Sequence, residues 1–206
     1  MTTIDSFSAT KPLRHWLVLL ALCLMALPLS LQAAASPSDT VRTVVDAVLG
    51  TLKTEGLSKA EIASRIRTEV SAAFDSRAMA QSVLSTNWRN ASKAQQDEFE
   101  SLFSELLENI YIGRLESYTN ETVEFGKESI NDTRATVDTA IVTQSGKIPV
   151  NYKLRLRNEG WFVYDVEVEN VSLVSSYRET YRSIVSKSGI DGLLTQLREK
   201  NQELEP

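Results

Sequence analysis

The hydrophobic period of the chain changes near residue 121, and this change limits the possible folds more than any short motif does. Before it, apolar residues recur every three or four positions, as they do on one face of a helix. After it, apolar and polar residues alternate, most clearly over residues 147–157. Alternation with a period of two is typical of strands with one covered and one wet face. The chain therefore joins a helical half to an antiparallel sheet.

Four helices are predicted in the first half. The first runs from about residue 39 to 54, and the second begins at Ser58, which fits a capping box with the residue three positions later. Asp75 is expected to cap a third, short helix that ends before Trp88. The longest helix, over residues 93–118, carries an unusually wide and aromatic apolar stripe.

Four strands are predicted after these helices, over residues 122–130, 135–141, 147–157 and 161–168. Turn residues separate the last three strands, which favours antiparallel hairpins. From residue 173 the helical period returns in two segments that Gly189 divides. A four-stranded antiparallel sheet with its helices gathered on one side is an α+β fold.

The first 35 residues have the composition of a secretory signal peptide. Lys11 and Arg14 precede an apolar run from Trp16 to Leu31, and a stretch of three alanines ends at Ala35. The run has about 15 apolar residues, fewer than the roughly 20 that a membrane-spanning helix needs. We therefore expect cleavage after Ala35 and one mature domain over residues 36–206. An uncleaved anchor helix is the alternative.

His15 and Cys23 are the single histidine and the single cysteine of the chain, and both lie in this segment. Its removal excludes Ser-His-Asp triads, cysteine nucleophiles, disulfides and the usual zinc sites. No glycine-rich nucleotide-binding motif is present either. An acidic balance, with a formal charge of -5 for the whole chain, argues against nucleic acid as a partner. We expect no catalytic residue, no metal and no cofactor.

Several short motifs occur in a characteristic order after the signal segment. They are Phe74-Asp75, Met79-Ala80, Trp88, Tyr164-Asp165-Val166, Val171-Ser172-Leu173, Tyr177-Arg178, and the run from Gly189 to Leu194 followed by Lys200. In this order they resemble the toluene tolerance or MlaC family, over about residues 39–200. The family pattern has a Gly shortly before the Trp, where this chain has Leu84-Ser85-Thr86-Asn87. This chain therefore departs from the family pattern at that turn.

The resemblance implies a periplasmic phospholipid-binding protein of a Gram-negative bacterium. Its fold would be similar to nuclear transport factor two, with a curved sheet wrapped by helices around a deep apolar cavity for acyl chains. Its partners would be an inner-membrane ABC transporter complex and an outer-membrane lipoprotein/porin complex. Its role would be to shuttle phospholipid between them and so maintain outer-membrane lipid asymmetry, without enzymatic activity.

The cavity candidates combine the apolar periodicity with this resemblance. They are Phe74, Met79, Val83, Trp88, Phe99, Phe103, Leu106, Leu107, Tyr111, Val137, Ile141, Val150, Tyr152, Leu154, Val163, Val171, Leu173, Tyr177 and Tyr181. Arg178 and Arg182 lie one helical turn apart and are the candidates for contact with the lipid headgroup. Asp165 is expected to form an ion pair with a nearby arginine such as Arg178.

Two other functions fit the same pattern of elements. The first is an enzyme of the same fold, such as an isomerase, in which Asp138 or Asp165 acts as base beside Tyr152, because such sites work without histidine. It requires a carboxylate that faces the cavity within reach of the tyrosine. The second is a periplasmic adaptor whose helices bind a protein partner, and it requires a closed core.

Overall fold

The structure is a computed structural model that describes residues 35–115, 121–158 and 160–204. The predicted signal peptide, apart from its last residue, and the end of the predicted long helix after residue 115 lie outside the described residues. In the described ranges, no helix has both the length and the apolar character needed to cross a membrane.

Six helices are described, and side-chain caps start several of them. Their bounds are α1 Pro37–Leu52, α2 Lys59–Ala73, α3 Ser76–Leu84, α4 Thr86–Asn90, α5 Lys93–Leu115 and α6 Leu173–Leu204. Ser36 and Ser58 each form a reciprocal capping box with the acidic residue three positions later. Helix α1 begins two residues earlier than predicted because Ser36 is its cap. The short helix α4, which contains Trp88, was not predicted.

In the described part of the chain, five antiparallel strands form one sheet in the order β1-β2-β3-β4-β5. Their bounds are β1 Thr122–Asn131, β2 Arg134–Thr143, β3 Gly146–Arg157, β4 Gly160–Val168 and β5 Val171–Ser172. The prediction of four strands was therefore one short. Strand β5 was missed because it has only two residues, which pair with the end of β4 directly after a tight turn.

Two irregularities curve the sheet. The register of β1 on β2 shifts between Phe125 and Glu128, and the register of β3 on β4 shifts between Lys153 and Leu154. Bulges of this kind bend a strand and increase its twist. The second shift places the extra residue, Tyr164, on β4. The result is an open, curled sheet with its concave side available to the helices.

The apolar core divides into two clusters. The sheet cluster has seven fully buried members, Val41 of α1 and Ala135, Val137, Val150, Leu154, Val163 and Val166 of the sheet. The helix cluster has thirteen, Met79, Ala80, Val83, Leu84, Trp88, Phe99, Phe103, Leu106, Val174, Tyr181, Leu193, Leu194 and Leu197. Phe74 packs against both clusters and forms an isolated bridge to Val163 at the edge of β4. It is the link between them.

Helix α6 has two arms that meet at Gly189, as the sequence predicted. Gly189 has φ 71° and ψ -177°, a conformation available to glycine and strained for other residues. A Cβ on Gly192 would clash with the Cβ and Oγ of Ser188. Both glycines are therefore needed for the second arm to fold back against α5, where Asn201 Nδ2 donates to the carbonyl of Leu102.

Candidate functional site

Helix α1 lies across one face of the sheet, which we call the inner face. Val41 of α1 is buried against the sheet cluster, and Arg42 lies over the ring of Phe125 at 3.9 Å. The backbone N–H of Ser38 donates to Glu128 Oε2 at 2.7 Å, which places a carboxylate of β1 at the start of the helix. A negative charge is stabilised there by the helix dipole. These contacts hold α1 over the strands on which a ligand would rest.

The inner face is apolar, but it is not closed. Eight hydrophobic residues that pack against the sheet cluster remain partly exposed, and we call them the apolar margin: Val45, Phe74, Phe125, Ile141, Tyr152, Trp161, Val168 and Leu173. All four aromatic residues of the sheet cluster belong to this margin. A filled core normally buries its largest side chains, because they contribute most to stability. Solvent access to them indicates apolar surface available to a ligand.

Tyr152 lies centrally in this margin. It pairs with Val137 on one side and Val166 on the other, both of which are buried. Burial raises the pKa of its hydroxyl to about 12, because the charged phenolate is disfavoured among apolar groups. Tyr152 nevertheless keeps part of its surface exposed. It therefore combines an apolar environment with access from outside, as the lining of an acyl-chain site requires.

The helix cluster packs its aromatic residues differently. Phe99 and Phe103 stack with ring centroids 5.6 Å apart, and Tyr181 meets both rings edge to face. The Tyr181 hydroxyl is buried and has no hydrogen-bond partner among the described residues. Burial, with a smaller contribution from Tyr177, raises the pKa of Tyr181. A pocket of about 320 Å³ lies beside it, between α5 and the two arms of α6, with Leu106, Leu193 and Leu197 in its wall.

The structure separates the predicted cavity residues into two groups and leaves two outside. The sheet cluster and its margin contain Phe74, Val137, Ile141, Val150, Tyr152, Leu154, Val163 and Leu173. The helix cluster and the residues packed on it contain Met79, Val83, Trp88, Phe99, Phe103, Leu106, Leu107, Tyr177 and Tyr181, with Phe74 again. Tyr111 is half-buried on α5 and belongs to neither cluster.

Val171 does not lie where the predicted cavity would place it. It is 59% exposed, because it belongs to the two-residue strand at the edge of the sheet. Conversely, Val45, Phe125, Trp161 and Val168 belong to the apolar margin and were not among the candidates. Val45 lies on the apolar face of the predicted first helix, so its periodicity was a usable signal. Phe125 lies in the strand with the weakest alternation.

The two headgroup candidates lie together in a second, smaller pocket at the junction of α3 and α4. Its volume is about 60 Å³, and its lining is Val83, Leu84, Ser85, Thr86, Asn87, Arg178 and Arg182. Arg178 Nε donates to the carbonyl of Ser82 at 2.8 Å. The two arginines, which lie one helical turn apart, therefore line a common pocket.

Asp75 is the cap of α3, as predicted, and it has further partners. Its Oδ1 accepts from the N–H of Ala78 at 2.9 Å, and its Oδ2 accepts from Arg155 Nε at 2.7 Å. Arg157 Nη1 lies 3.4 Å from the same oxygen. The sequence could not show these ion pairs, because the arginines come from β3, about eighty positions away along the chain. Asp75 thus joins the helix cluster to the sheet.

The expected pair between Asp165 and Arg178 was wrong. Asp165 accepts hydrogen bonds from the Ser172 hydroxyl at 2.7 Å and from the N–H of Val174 at 3.1 Å, and Lys153 Nζ lies 3.5 Å away. The carboxylate is therefore held at the start of α6, where the unpaired N–H groups of the helix favour it. Arg178 lies beyond the first turn of that helix and is bonded to Ser82 instead.

The three residues of the alternative enzyme site are not together. Asp138 pairs with Asn151, and Asp165 pairs with Lys153, whereas Tyr152 lies between these positions on β3. Because neighbouring residues of a strand point to opposite faces, both carboxylates are on the other side of the sheet from Tyr152. In the described part of the chain, no three His, Cys, Asp or Glu residues are grouped as a metal site would require.

A curled antiparallel sheet with helices on its inner face and accessible apolar residues between them is an α+β fold of the kind found in nuclear transport factor two. The solved structure of a phospholipid-binding protein from Ralstonia solanacearum, in complex with a phospholipid, has this architecture. It matches with a TM-score of 0.75 and 26% identity, over 84% of this chain and 98% of the other. The sequence profile of the MlaC protein family matches residues 42–199. The chain belongs to the MlaC family.

Two curated relatives are similar over different lengths. The intermembrane phospholipid transport system binding protein MlaC of Haemophilus influenzae is 28% identical over 123 residues, which are 57% of this chain and 58% of that protein. The toluene tolerance protein ttg2D of Pseudomonas putida is 26% identical over 188 residues, 86% of this chain and 84% of that protein. This chain thus aligns with somewhat more than half of the Haemophilus protein.

Proposed function

We propose that this chain binds phospholipid at the apolar margin of its sheet and carries it across the periplasm. The proposal depends on the partial exposure of four aromatic residues that pack against the sheet cluster, Phe74, Phe125, Tyr152 and Trp161. The phospholipid complex of the Ralstonia protein, which is similar over most of both chains, supports the same ligand class.

The energetics of acyl chains agree with a carrier. Burial of each methylene contributes about 0.8 kcal/mol relative to water, so release of a diacyl lipid into water would cost on the order of 20 kcal/mol. Between a bilayer and an apolar site this difference nearly cancels, because both surroundings are apolar. Loading and unloading therefore need contact with a membrane or a partner, while loss of cargo in between is negligible.

The partners in this proposal are two membrane assemblies. Cleavage after Ala35 would release the domain into the periplasm, where it would exchange lipid with an inner-membrane ABC transporter complex and an outer-membrane lipoprotein/porin complex. No nucleotide-binding motif occurs in the sequence. The energy for directional transport would come from the transporter, and the chain would act as a passive shuttle that maintains the lipid asymmetry of the outer membrane.

Native mass spectrometry of the protein purified from the periplasm tests the cargo. We expect a mass that corresponds to the chain from residue 36 with a diacyl phospholipid bound. A protein free of ligand in every preparation, with an intact fold, would refute the proposal.

A pair of variants on β3 locates the site. Tyr152→Lys places a charge in the apolar margin, and we expect it to abolish lipid co-purification. Asn151→Lys is the matched control, because the neighbouring side chain points to the opposite face of the same strand. Circular dichroism confirms that both variants are folded. Equal lipid retention by the two variants would show that the inner face is not the binding surface.

Transfer assays test the shuttle itself. Donor vesicles that contain the inner-membrane complex and acceptor vesicles that contain the outer-membrane complex are mixed with the protein. We expect labelled phospholipid to move only when this chain is present, and Tyr152→Lys to stop the movement. Transfer at the same rate without the chain would contradict the proposed role.

A further inference from the structure

The junction of α3 and α4 contains a pocket whose polar side chains include two arginines and can all donate hydrogen bonds. The pocket is lined by Arg178, Arg182, Ser85, Thr86 and Asn87, together with two buried aliphatic residues, and by no acidic side chain among the described residues. Each of the five polar side chains can donate a hydrogen bond. The whole chain has a formal charge of -5. A site lined by donors and two cations in an acidic protein is suited to a ligand that accepts hydrogen bonds and carries negative charge.

Arg178 is held in place by one hydrogen bond, and most of its N–H groups take no part in that bond. Its Nε is bonded to the carbonyl of Ser82 at 2.8 Å, which fixes the plane of the guanidinium group against α3. Arginine has five N–H donors, so the remaining four are free of that bond. Within the described ranges no ion pair to Arg178 is found. The group is therefore positioned by a neutral acceptor, with its charge left uncompensated.

The positive charge of Arg182 is only weakly compensated by an acidic partner. Its Nη1 lies 3.9 Å from Glu179 Oε1, and both side chains are largely exposed. Exposed pairs at such a distance contribute little to stability. The second guanidinium group can therefore turn to an anion in the pocket without the loss of a strong contact.

The volume of the pocket fits one small oxyanion. The pocket volume is about 60 Å³, while a single buried water needs a cavity of roughly 10–15 Å³. A group with about four oxygen atoms can therefore enter. Arginine pairs with phosphate through two parallel N–H···O bonds, which adds geometric selectivity to charge attraction.

We propose that this pocket binds a phosphate group through Arg178 and Arg182, and that in the lipid-bound protein it holds the phosphate of the bound phospholipid. The second statement rests on the proposed function. Arg178 follows Leu173 of the apolar margin by five residues, which is about 8 Å along helix α6. The pocket is thus less than two helical turns from the margin along α6. Free phosphate is the other source of the same group.

Two measurements separate the two sources. In the first, lipid-free protein is titrated with inorganic phosphate and followed by calorimetry. In the second, protein is loaded from vesicles of phosphatidylglycerol and diacylglycerol with matched acyl chains, and the bound ratio is read by native mass spectrometry. The variants are Arg182→Gln, in which the substituted side chain is exposed, and the double variant Arg178→Gln/Arg182→Gln. Arg65→Gln, an exposed arginine of α2, is the control.

We expect the wild type to enrich the phosphate-bearing lipid over diacylglycerol. The double variant should lose about tenfold of that enrichment, and Arg182→Gln should lose part of it. The control Arg65→Gln should match the wild type. Weaker binding of inorganic phosphate by the variants with an unchanged lipid ratio would support the phosphate site and overturn its assignment to the lipid. Unchanged behaviour of Arg182→Gln and the double variant in both measurements would overturn the whole proposal. If no protein takes up either lipid, the proposed function fails, and the phosphate titration alone decides on the pocket.

Discussion

The sheet cluster and the helix cluster are both apolar, but only the helix cluster buries aromatic residues fully. The helix cluster fully buries Phe99, Phe103, Trp88 and Tyr181, and three of these rings stack or meet edge to face. The sheet cluster fully buries only aliphatic side chains and leaves all of its aromatic residues partly exposed. This difference underlies our proposal that the helix cluster stabilises the domain and that the sheet cluster offers apolar surface to a ligand.

The largest difference is expected for aromatic truncations. Phe103→Ala in the helix cluster should lower the free energy of unfolding by about 3–5 kcal/mol, because it removes a buried ring and leaves a cavity. Phe125→Ala in the apolar margin should lower it by less than half of that, since its ring is already partly exposed. Urea denaturation of lipid-free protein measures both. Equal losses would mean that the two clusters share the stabilising role.

The bend in helix α6 gives the next largest effect. Gly189→Ala should lower the free energy of unfolding by about 1–3 kcal/mol, because alanine is strained at its positive φ. Gly50 in α1 is the matched control: a Cβ there meets nothing within 4 Å, so Gly50→Ala should stabilise by up to about 1 kcal/mol. Thermal unfolding checks both variants. An unchanged stability of Gly189→Ala would show that the second arm can dock without the bend.

A substitution in the turn between α3 and α4 is expected to stabilise the protein. Ser85 has φ 53° and ψ -120°, a strained conformation for a residue with a Cβ. The family resemblance led us to expect a glycine close to this position. Ser85→Gly should therefore stabilise the helix cluster by about 1 kcal/mol, whereas Ser85→Ala, which keeps the strain, should not. A melting temperature that rises equally in both variants would point to a cause other than the backbone.

The smallest effect concerns pH. Because the pKa of Tyr152 is raised to about 12 in the folded protein and is about 10 in an unfolded chain, the neutral hydroxyl favours the folded state. This contribution is complete below about pH 10 and is lost as the pH rises towards 12. Tyr152→Phe should reduce the fall in unfolding free energy over that interval, relative to the wild type. An identical alkaline slope would show that the hydroxyl is hydrated, and that the margin is more open than described.

Local signals predicted the elements well, because their causes lie within a few residues. The capping box predicted at Ser58 forms, and the alternation over β3 matches the inner and outer faces. Gly189 divides the last helix as expected. These features depend on hydrogen bonds between residues three positions apart or on side-chain periodicity, and both can be read directly from the sequence.

Contacts between distant segments could not be predicted in the same way. Periodicity shows that a residue is turned inward, but it does not show which other inward residues it meets. The candidate list therefore mixed Phe103 of one cluster with Tyr152 of the other. The partners of Asp75 on β3 and of Asp165 at the start of α6 also depend on the assembled sheet. The bulge at Tyr164 interrupts the alternation of β4 and fixes which of its side chains face inward.

The most direct test of the division between the two clusters is to map the contacts of the lipid. The protein is loaded with a phospholipid that carries a diazirine on its acyl chain, irradiated and digested, and the crosslinked residues are identified by mass spectrometry. Crosslinks should concentrate on Phe125, Ile141, Tyr152 and Val168 of the apolar margin. Crosslinks confined to Phe99, Phe103 and Leu193 would contradict the assignment of the sheet cluster as the cargo site.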